Sequence, residues 1–279
     1  SYSAANGDLD TISEFRSGAF GDAPDVLSGI DLQGATLEID LDGLDAAAGT
    51  SFTLMEADEI AAEMFPGREP SSWGALIDAI YAEGRLTDMF RDEMVKGLAD
   101  TDVTPLLDFF QSQTGAEIIA LELSARRAFI SEDVENTARE AWEDAARDPS
   151  PRVAQIRRFI EVNDLLERNV EGALNSSLAF YRGLSTSGPF VQTEDQMLAD
   201  VWSQEAQIRE DTDTWLTAYL SMSYEPLDDA DLAAYIDLSV TEAGQEFNQA
   251  LFDTFELMYD DISFRLGETI ATLSTGEEL

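Results

Sequence analysis

The stretch from Arg152 to Arg182 carries the most regular helical pattern in the chain, and it constrains the fold more than any other segment. Apolar and small side chains recur there at three- and four-residue steps, which is the spacing of one helix face: Val153, Ile156, Ile160, Val170, Leu174, Ser177 and Tyr181. At 3.6 residues per turn the stretch predicts one continuous helix of about eight turns. Asn163 falls on the same apolar stripe.

Similar helical patterns fill the chain from residue 59 to residue 279. The sequence Asp148-Pro149-Ser150-Pro151 stops one helix and starts the next, because proline is excluded from helix interiors and suits a first turn. Thr193 and Gln196 form a capping box that begins another helix. We therefore predict a mainly α-helical protein in which residues 59–279 form one antiparallel, bundle-like multi-helix domain.

Two segments of this helical region resemble each other. Residues 102–118 (DVTPLLDFFQSQTGAEI) and 231–247 (DLAAYIDLSVTEAGQEF) align without a gap, and Gly115 falls on Gly244. Each copy predicts a short helix, a tight break near the glycine and then a longer helix. We interpret the pair as two related helical hairpins, and two copies do not support a solenoid.

Residues 1–58 follow a different pattern. Apolar and polar side chains alternate in Leu37–Leu41 and again in Phe52–Leu54, which is the period of a strand with one buried face. The two runs predict a short β-hairpin joined through Gly43–Gly49. The chain would then divide into a β-patterned N-terminal segment, residues 1–58, and the helical domain.

The sequence of residues 30–58 resembles the last rungs of β-rich cell-surface passenger repeats. Within it, Asp40, Asp42 and Asp45 surround Gly43 in a D-x-D-G-x-D pattern that resembles part of a calcium loop. These three aspartates are therefore candidate calcium ligands, although the later glutamate of the twelve-residue loop is missing. A solvated acidic turn is the alternative interpretation. No other cofactor is predicted.

The charge of the chain restricts its partners. There are 57 acidic residues and 16 basic residues, which gives a formal net charge of −41. Nucleic acid and anionic lipid surfaces both require a basic footprint, so neither is expected as a partner. Cations and basic partners are compatible with this charge. Repulsion among so many carboxylates predicts a fold that salt stabilises, and hence a saline habitat.

The residue types that are missing exclude several kinds of chemistry. The chain has no cysteine and no histidine, so disulfides, thiolate catalysis, cysteine or histidine zinc sites and Ser-His-Asp triads cannot be built. No apolar run approaches the roughly 20 residues of a membrane span. Because the sequence begins at Ser1, we expect a processed periplasmic or extracellular protein whose signal peptide is missing from this sequence.

Arginine is concentrated in the middle of the chain, where nine of the 16 basic residues lie between Arg126 and Arg182. Such arginines form helix-to-helix ion pairs in an acidic protein, or they form a pocket for a small anion. The candidate ligand-binding residues of the second interpretation are Arg126, Arg127, Arg157, Arg158 and Asn163. An asparagine on an apolar stripe needs a hydrogen-bond partner, and a structural role in fixing helix register is its alternative.

Several segments together carry a family resemblance: Ala125-Arg126-Arg127, residues 159–165 (FIEVNDL), 169–175 (NVEGALN), 180–184 (FYRGL) and 224–227 (YEPL). Over about residues 60–267 the chain resembles bacterial exported proteins of domain-of-unknown-function family 2059. The resemblance implies an all-helical, usually exported protein. It implies no catalytic residues, because the family has no assigned activity. The β-patterned start departs from the family.

These observations favour a non-catalytic exported helical protein that acts by binding or protein–protein interaction in a saline environment. The expected partner is an unidentified protein or a small anionic ligand. The alternative is a hydrolase or lyase built from carboxylates and arginines, with calcium or magnesium. An enzyme of that kind requires a concave site that holds a carboxylate with a raised pKa. A third interpretation makes residues 1–58 a surface-attachment or assembly segment.

The charge predicts how stability responds to salt. Raising sodium chloride from millimolar to molar concentration is expected to raise the Tm, because screening weakens the repulsion between carboxylates. Differential scanning calorimetry measures this directly, with sucrose at matched osmolality as the uncharged control. A Tm that stays flat or falls with salt would contradict the repulsion argument.

Overall fold

A computed structural model describes residues 28–32, 35–39, 72–147 and 150–275 of the chain. The first two segments are antiparallel strands, β1 (Ser28–Leu32) and β2 (Ala35–Ile39), in a register that places Ile30 opposite Leu37. The predicted strand Leu37–Leu41 overlaps β2, but β2 pairs with the segment before it. Four predictions lie outside the described residues: the strand at Phe52–Leu54, the connection Gly43–Gly49, the aspartates 40, 42 and 45, and the domain boundary at residue 58.

All regular elements of the described chain beyond residue 72 are helices, so the predicted mainly α-helical class is confirmed. The short segment Gly188–Phe190 is a 3-10 helix. The α-helices are α1 (Trp73–Ile80), α2 (Glu83–Gly97), α3 (Thr104–Phe110), α4 (Gln113–Ala128), α5 (Glu132–Ala146), α6 (Pro151–Val162), α7 (Leu165–Leu184), α8 (Glu194–Trp202), α9 (Glu205–Tyr224), α10 (Asp229–Ser239) and α11 (Glu242–Ser274).

The stretch from Arg152 to Arg182 is two helices rather than one, so the prediction of a continuous eight-turn helix was wrong. Between α6 and α7, Asp164 adopts a left-handed backbone conformation with φ of 53°, which aspartate tolerates better than most residues. Asn163 ends α6, and its Nδ2 donates to the Phe159 carbonyl at 3.0 Å and to Ser239 Oγ at 3.3 Å. Asn248 Nδ2 donates to the carbonyl of Asn163 at 2.8 Å. Hydrogen bonds with Ser239 of α10 and Asn248 of α11 therefore stabilise the break between α6 and α7, which the apolar periodicity of the sequence does not reveal.

The helices α7 and α11 pack against each other in a parallel direction. Arg168 contacts Gln249, Asn175 contacts Glu256 and Ser176 contacts Asp260. The residue numbers of the contacting partners increase together along both helices and differ by 81 to 84, which is the pattern of parallel helices. The predicted antiparallel arrangement is therefore wrong for this pair. Short connections make sequence neighbours antiparallel, but here three helices, α8 to α10, return the chain before α11 begins.

Two glycines bring the backbones of α7 and α11 into direct contact. A Cβ atom added to Gly183 would lie 2.0 Å from the carbonyl oxygen of Phe264, and one added to Gly267 would lie 2.2 Å from that of Phe180. No side chain fits at either position, because glycine alone has no Cβ. We call this contact the glycine crossing.

Two other helix pairs, α2 with α11 and α4 with α9, are antiparallel. Helix α2 lies on α11, where a Cβ on Gly97 would meet Ala250 and the rings of Phe90 and Phe255 are 5.5 Å apart. Helix α4 packs against α9, also antiparallel, and Phe129 at the end of α4 packs on Trp215 and Tyr219 of α9. The largest core joins α4, α5, α6, α9 and α10, and a second core joins α2, α3 and α11.

The two segments that resemble each other form corners of the same geometry. Ser112 Oγ accepts from the Gly115 amide at 3.1 Å, and Thr241 Oγ1 accepts from the Gly244 amide at 3.0 Å. A Cβ on either glycine would lie 2.1 to 2.2 Å from a carbonyl oxygen of the preceding helix. Both places thus have a short helix, a tight break and a longer helix. Their relation as an internal repeat stays a prediction.

Alanine substitutions test the glycine crossing. Gly183→Ala and Gly267→Ala are each expected to lower the free energy of unfolding by at least about 2 kcal/mol, because the added Cβ overlaps a backbone carbonyl. Gly172→Ala on the same helix is the control: its Cβ would meet nothing within 4 Å, so the substitution should stabilise by up to about 1 kcal/mol. Urea unfolding measures all three, and equal effects at the three positions would contradict the close crossing.

Candidate functional site

Away from the glycine crossing, a cleft lies between α7 and α11, and α9 forms its third side. At Gly172, three turns before Gly183, a Cβ would meet nothing within 4 Å, so the cleft is open beside this residue. The cleft has a volume of about 490 Å³ and is lined by residues of α7, α9 and α11 together with Asp164.

The lining of the cleft combines an apolar surface with a strong excess of negative charge. Ile208, Phe252 and Phe255 supply the apolar side chains. Arg168 is the single basic residue of the lining, whereas five residues carry carboxylates: Asp164, Glu171, Asp211, Asp253 and Glu256. A cleft of this kind concentrates cations and repels anions.

Two arginines hold the walls of the cleft. Arg168 lies over the ring of Phe252, with its Cζ 5.3 Å from the ring centroid, and its Nη2 donates to Gln249 Oε1 at 2.7 Å. Arg209 of α9 grips Glu167 of α7 with two hydrogen bonds of 2.5 and 2.9 Å. These hydrogen bonds lower the pKa of the Glu167 carboxyl. The Arg209 pair links α9 to α7 and so fixes the width of the cleft.

Asn169 is the most informative polar residue of the lining. It is only 7% exposed, and its Nδ2 donates to the carbonyl of Leu165 at 2.6 Å. Its Oδ1 is buried and has no hydrogen-bond partner. A buried acceptor without a partner destabilises the fold, and a ligand that brings a donor to this oxygen would remove that penalty.

Asp260 lies next to Ser176 and Glu256, two residues that line the cleft. Ser176 Oγ donates to Asp260 Oδ1 at 3.3 Å. Burial, together with the nearby Glu256 carboxylate, raises the pKa of Asp260 to about 6. This carboxyl therefore titrates close to neutral pH, as a general acid or base would.

The arginines predicted from the sequence as ligand-binding residues meet different partners. Arg126 lies over the ring of Trp215 at 5.4 Å, and Arg157 lies over Trp142 at 6.0 Å. Arg158 pairs with Glu161 at 2.8 Å on its own helix, and Arg127 is exposed. Asn163 is buried at the break between α6 and α7. These contacts do not join the five residues in one pocket, and a ligand-binding role for them stays a prediction.

Other arginines connect helices, as the ion-pair interpretation of the sequence expects. Arg152 pairs with Asp229 at 2.8 Å and also donates to the carbonyl of Tyr224 at 3.2 Å. Arg182 pairs with Glu194, which ties α7 to the start of α8. Within the part of the chain that the structure describes, no group of three or more carboxylates is placed to hold a metal ion, and no helix is long and apolar enough to span a bilayer.

The residues of the cleft were not recognised from the sequence, although one signal was present. Asn169, Ala173 and Ser176 follow one another at helical spacing on the buried face of α7, so two of three positions in that row are polar. A polar row on a buried face is a stronger sign of a cavity than a single buried asparagine. The contributions of α9 and α11 depend on which helices pack together, and the sequence does not reveal this.

Comparison with known proteins identifies no relative. No family model, curated protein or solved structure matches this chain. The resemblance to domain-of-unknown-function family 2059 therefore stays a prediction, and the function is argued from the site.

A second unusual carboxyl, Glu122, lies in the aromatic core between α4 and α9. It is 2% exposed; its Oε1 accepts from the Tyr224 hydroxyl at 2.5 Å and its Oε2 has no partner. Tyr219 donates its hydroxyl to the Glu122 backbone carbonyl at 3.0 Å. Burial raises the pKa of Glu122 to about 7, although the hydrogen bond from Tyr224 opposes the shift.

This raised pKa predicts a specific pH dependence of stability. The folded protein holds the Glu122 proton up to about pH 7, whereas the unfolded chain releases it near its ordinary pKa of 4.5. Unfolding therefore becomes easier as the pH rises from 4.5 to 7, by roughly 3 kcal/mol once the carboxyl is ionised. Glu122→Gln should remove this loss, so the variant should be more stable than the wild type at pH 8 but not at pH 5.

Urea unfolding at the two pH values measures this difference, and Glu117→Gln is the matched control. Glu117 is exposed on the same helix, so its substitution removes one carboxylate without touching the core. A Glu122→Gln variant whose stability relative to the wild type does not change with pH would contradict the assignment.

Proposed function

We propose that this chain is a non-catalytic, exported helical protein of saline environments that binds a small ligand in the cleft between α7, α9 and α11. The single observation that carries the proposal is the cleft itself. Its volume of about 490 Å³ lies within the range of ligand sites, which is roughly 300 to 1,000 Å³. Its lining combines apolar side chains such as Ile208 and Phe255 with a larger number of polar and charged side chains that can orient a ligand.

The charge of the lining bears on the earlier expectation of an anionic ligand. With five carboxylates and one guanidinium, the cleft repels anions, so a small anion does not suit this site. The excess of acidic residues over the whole chain supports the saline habitat. Export and the relation of the two helical hairpins rest on the sequence alone.

A carboxylate-based hydrolase or lyase is the second candidate, and Asp260 is the observation that favours it. Its pKa is raised to about 6, and it lies beside Glu256, a carboxylate that lines the cleft. Asp260→Asn should abolish a hydrolytic activity while leaving ligand binding in place. Binding that persists with no turnover by the wild type would favour the binding protein.

The binding function is tested by filling the cleft. Gly172 lines it and has free space beyond its Cα, so the indole of a Gly172→Trp variant should occupy the cleft without disturbing the backbone. A panel of amines, sugars, carboxylates and divalent ions is screened by thermal shift in molar sodium chloride. A compound that binds the cleft should raise the Tm of the wild type but not that of the variant.

Gly74→Trp is the matched control, because Gly74 lies outside the cleft and also has free space around it. This variant should respond to ligands as the wild type does. If every compound shifts the wild type and Gly172→Trp equally, the cleft is not the binding site and the proposed function fails.

A further inference from the structure

We propose that the ligand of the α7–α9–α11 cleft is an organic cation that carries N–H donors, an alkyl amine or a guanidinium with an apolar body. This inference rests on the proposed binding function and names its chemical class. Three independent features of the cleft support it: the carboxylates at its rim, the buried oxygen of Asn169 and the apolar surface between them.

The carboxylates select a positive charge, and their placement selects an organic one. They come from all three walls: Glu171 from α7, Asp211 from α9, and Asp253 and Glu256 from α11. Among the described residues no three of the chain's carboxylates converge closely enough to hold a metal ion. An organic cation whose amine and guanidinium groups are separated by methylene groups can pair with carboxylates that do not converge on one point.

The Asn169 oxygen distinguishes organic cations that carry N–H donors from those that do not. Because Oδ1 is a buried acceptor with no partner, a primary amine or guanidinium N–H satisfies it and a quaternary ammonium does not. The apolar side chains of Ile208 and Phe255 then cover the methylene groups of the ligand. Arg168 already shows that the aromatic wall accepts a guanidinium, since its own lies over Phe252.

One lining atom points to a different chemistry. Arg168 Nε is buried without a partner, and it would favour an acceptor on the ligand. The Arg168 guanidinium already donates to Gln249 and lies over the ring of Phe252. Its main role is therefore to pack the wall of the cleft rather than to bind a ligand. A zwitterion that used Arg168 as well as the carboxylates is therefore a competing ligand class, and the test includes one.

The experiment is an equilibrium titration of the wild type with agmatine in 1 M sodium chloride, where diffuse attraction to the acidic surface is screened. Saturable binding of one agmatine per chain is expected. Tetramethylammonium, which lacks N–H donors, should bind at least about tenfold more weakly, and succinate should not bind. Tighter binding of γ-aminobutyrate, a zwitterion without net charge, than of agmatine would overturn the assignment to a cation.

Matched variants separate the cleft from the general charge. Asp211→Asn should weaken agmatine binding by about threefold to tenfold, whereas Asp213→Asn, the same change on an exposed position of the same helix, should leave it unchanged. Asn169→Leu should weaken agmatine at least about fivefold but leave tetramethylammonium unaffected. Equal losses in Asp211→Asn and Asp213→Asn would overturn the proposal, because they would show attraction to the whole surface.

The results distinguish a wrong ligand class from a wrong proposed function. If a sugar or carboxylate stabilises the wild type but not Gly172→Trp, and agmatine does not bind, the cleft binds a ligand and the cation class is wrong. If no compound distinguishes the wild type from Gly172→Trp, both proposals are wrong.

Discussion

The contact between the backbones of α7 and α11 at Gly183 and Gly267 is the interaction on which the rest of the fold depends. It brings two helices that are far apart in sequence into a parallel pair, with carbonyl oxygens where side chains would otherwise stand. On one side of the pair, α2 packs against α11 through Gly97 and Phe90. Toward the start of α7 the same two helices and α9 line the cleft, where Arg168 and Gln249 still join α7 to α11.

Arginine is used in this structure mainly to join helices within a strongly acidic chain. Arg209 holds α9 to α7, Arg152 reaches the start of α10, and Arg126 and Arg157 lie over tryptophan rings. These arginines are therefore engaged by the protein itself, while many carboxylates of the described residues face solvent or the cleft. This distribution explains why the open site is acidic even though the basic residues cluster in the same part of the sequence.

The sequence was sufficient for the helical class and for many of the individual helices, because apolar periodicity and capping residues are local. The Thr193–Gln196 capping box and the breaks before Gly115 and Gly244 appear where they were predicted. Two features depend on tertiary contacts and were missed. The break at Asn163 is stabilised by hydrogen bonds with Ser239 and Asn248. The parallel direction of α7 and α11 depends on the path of the chain through α8, α9 and α10 between them.

The candidate site illustrates the same limit. Individual residues such as Asn163 and the central arginines were noticed because of their types, yet the structure places them in different contacts. The cleft is made by residues that are unremarkable in sequence, such as Asp211 and Glu256, and only the packing of three helices brings them to one volume. Asn169 could have been singled out by its buried position on α7, but its missing hydrogen bond could not.

The parallel direction of α7 and α11 is tested most directly by the distance between nitroxide labels at Glu171→Cys and Asp253→Cys, measured by pulsed electron resonance. The chain has no cysteine, so the two labels attach only at these exposed positions. Parallel helices in contact predict a label separation below about 25 Å, because packed helix axes lie about 8–10 Å apart. If the helices crossed at the same glycines in opposite directions, the labels would lie about 40 Å apart at 1.5 Å per residue, and that result would contradict the fold and the cleft together.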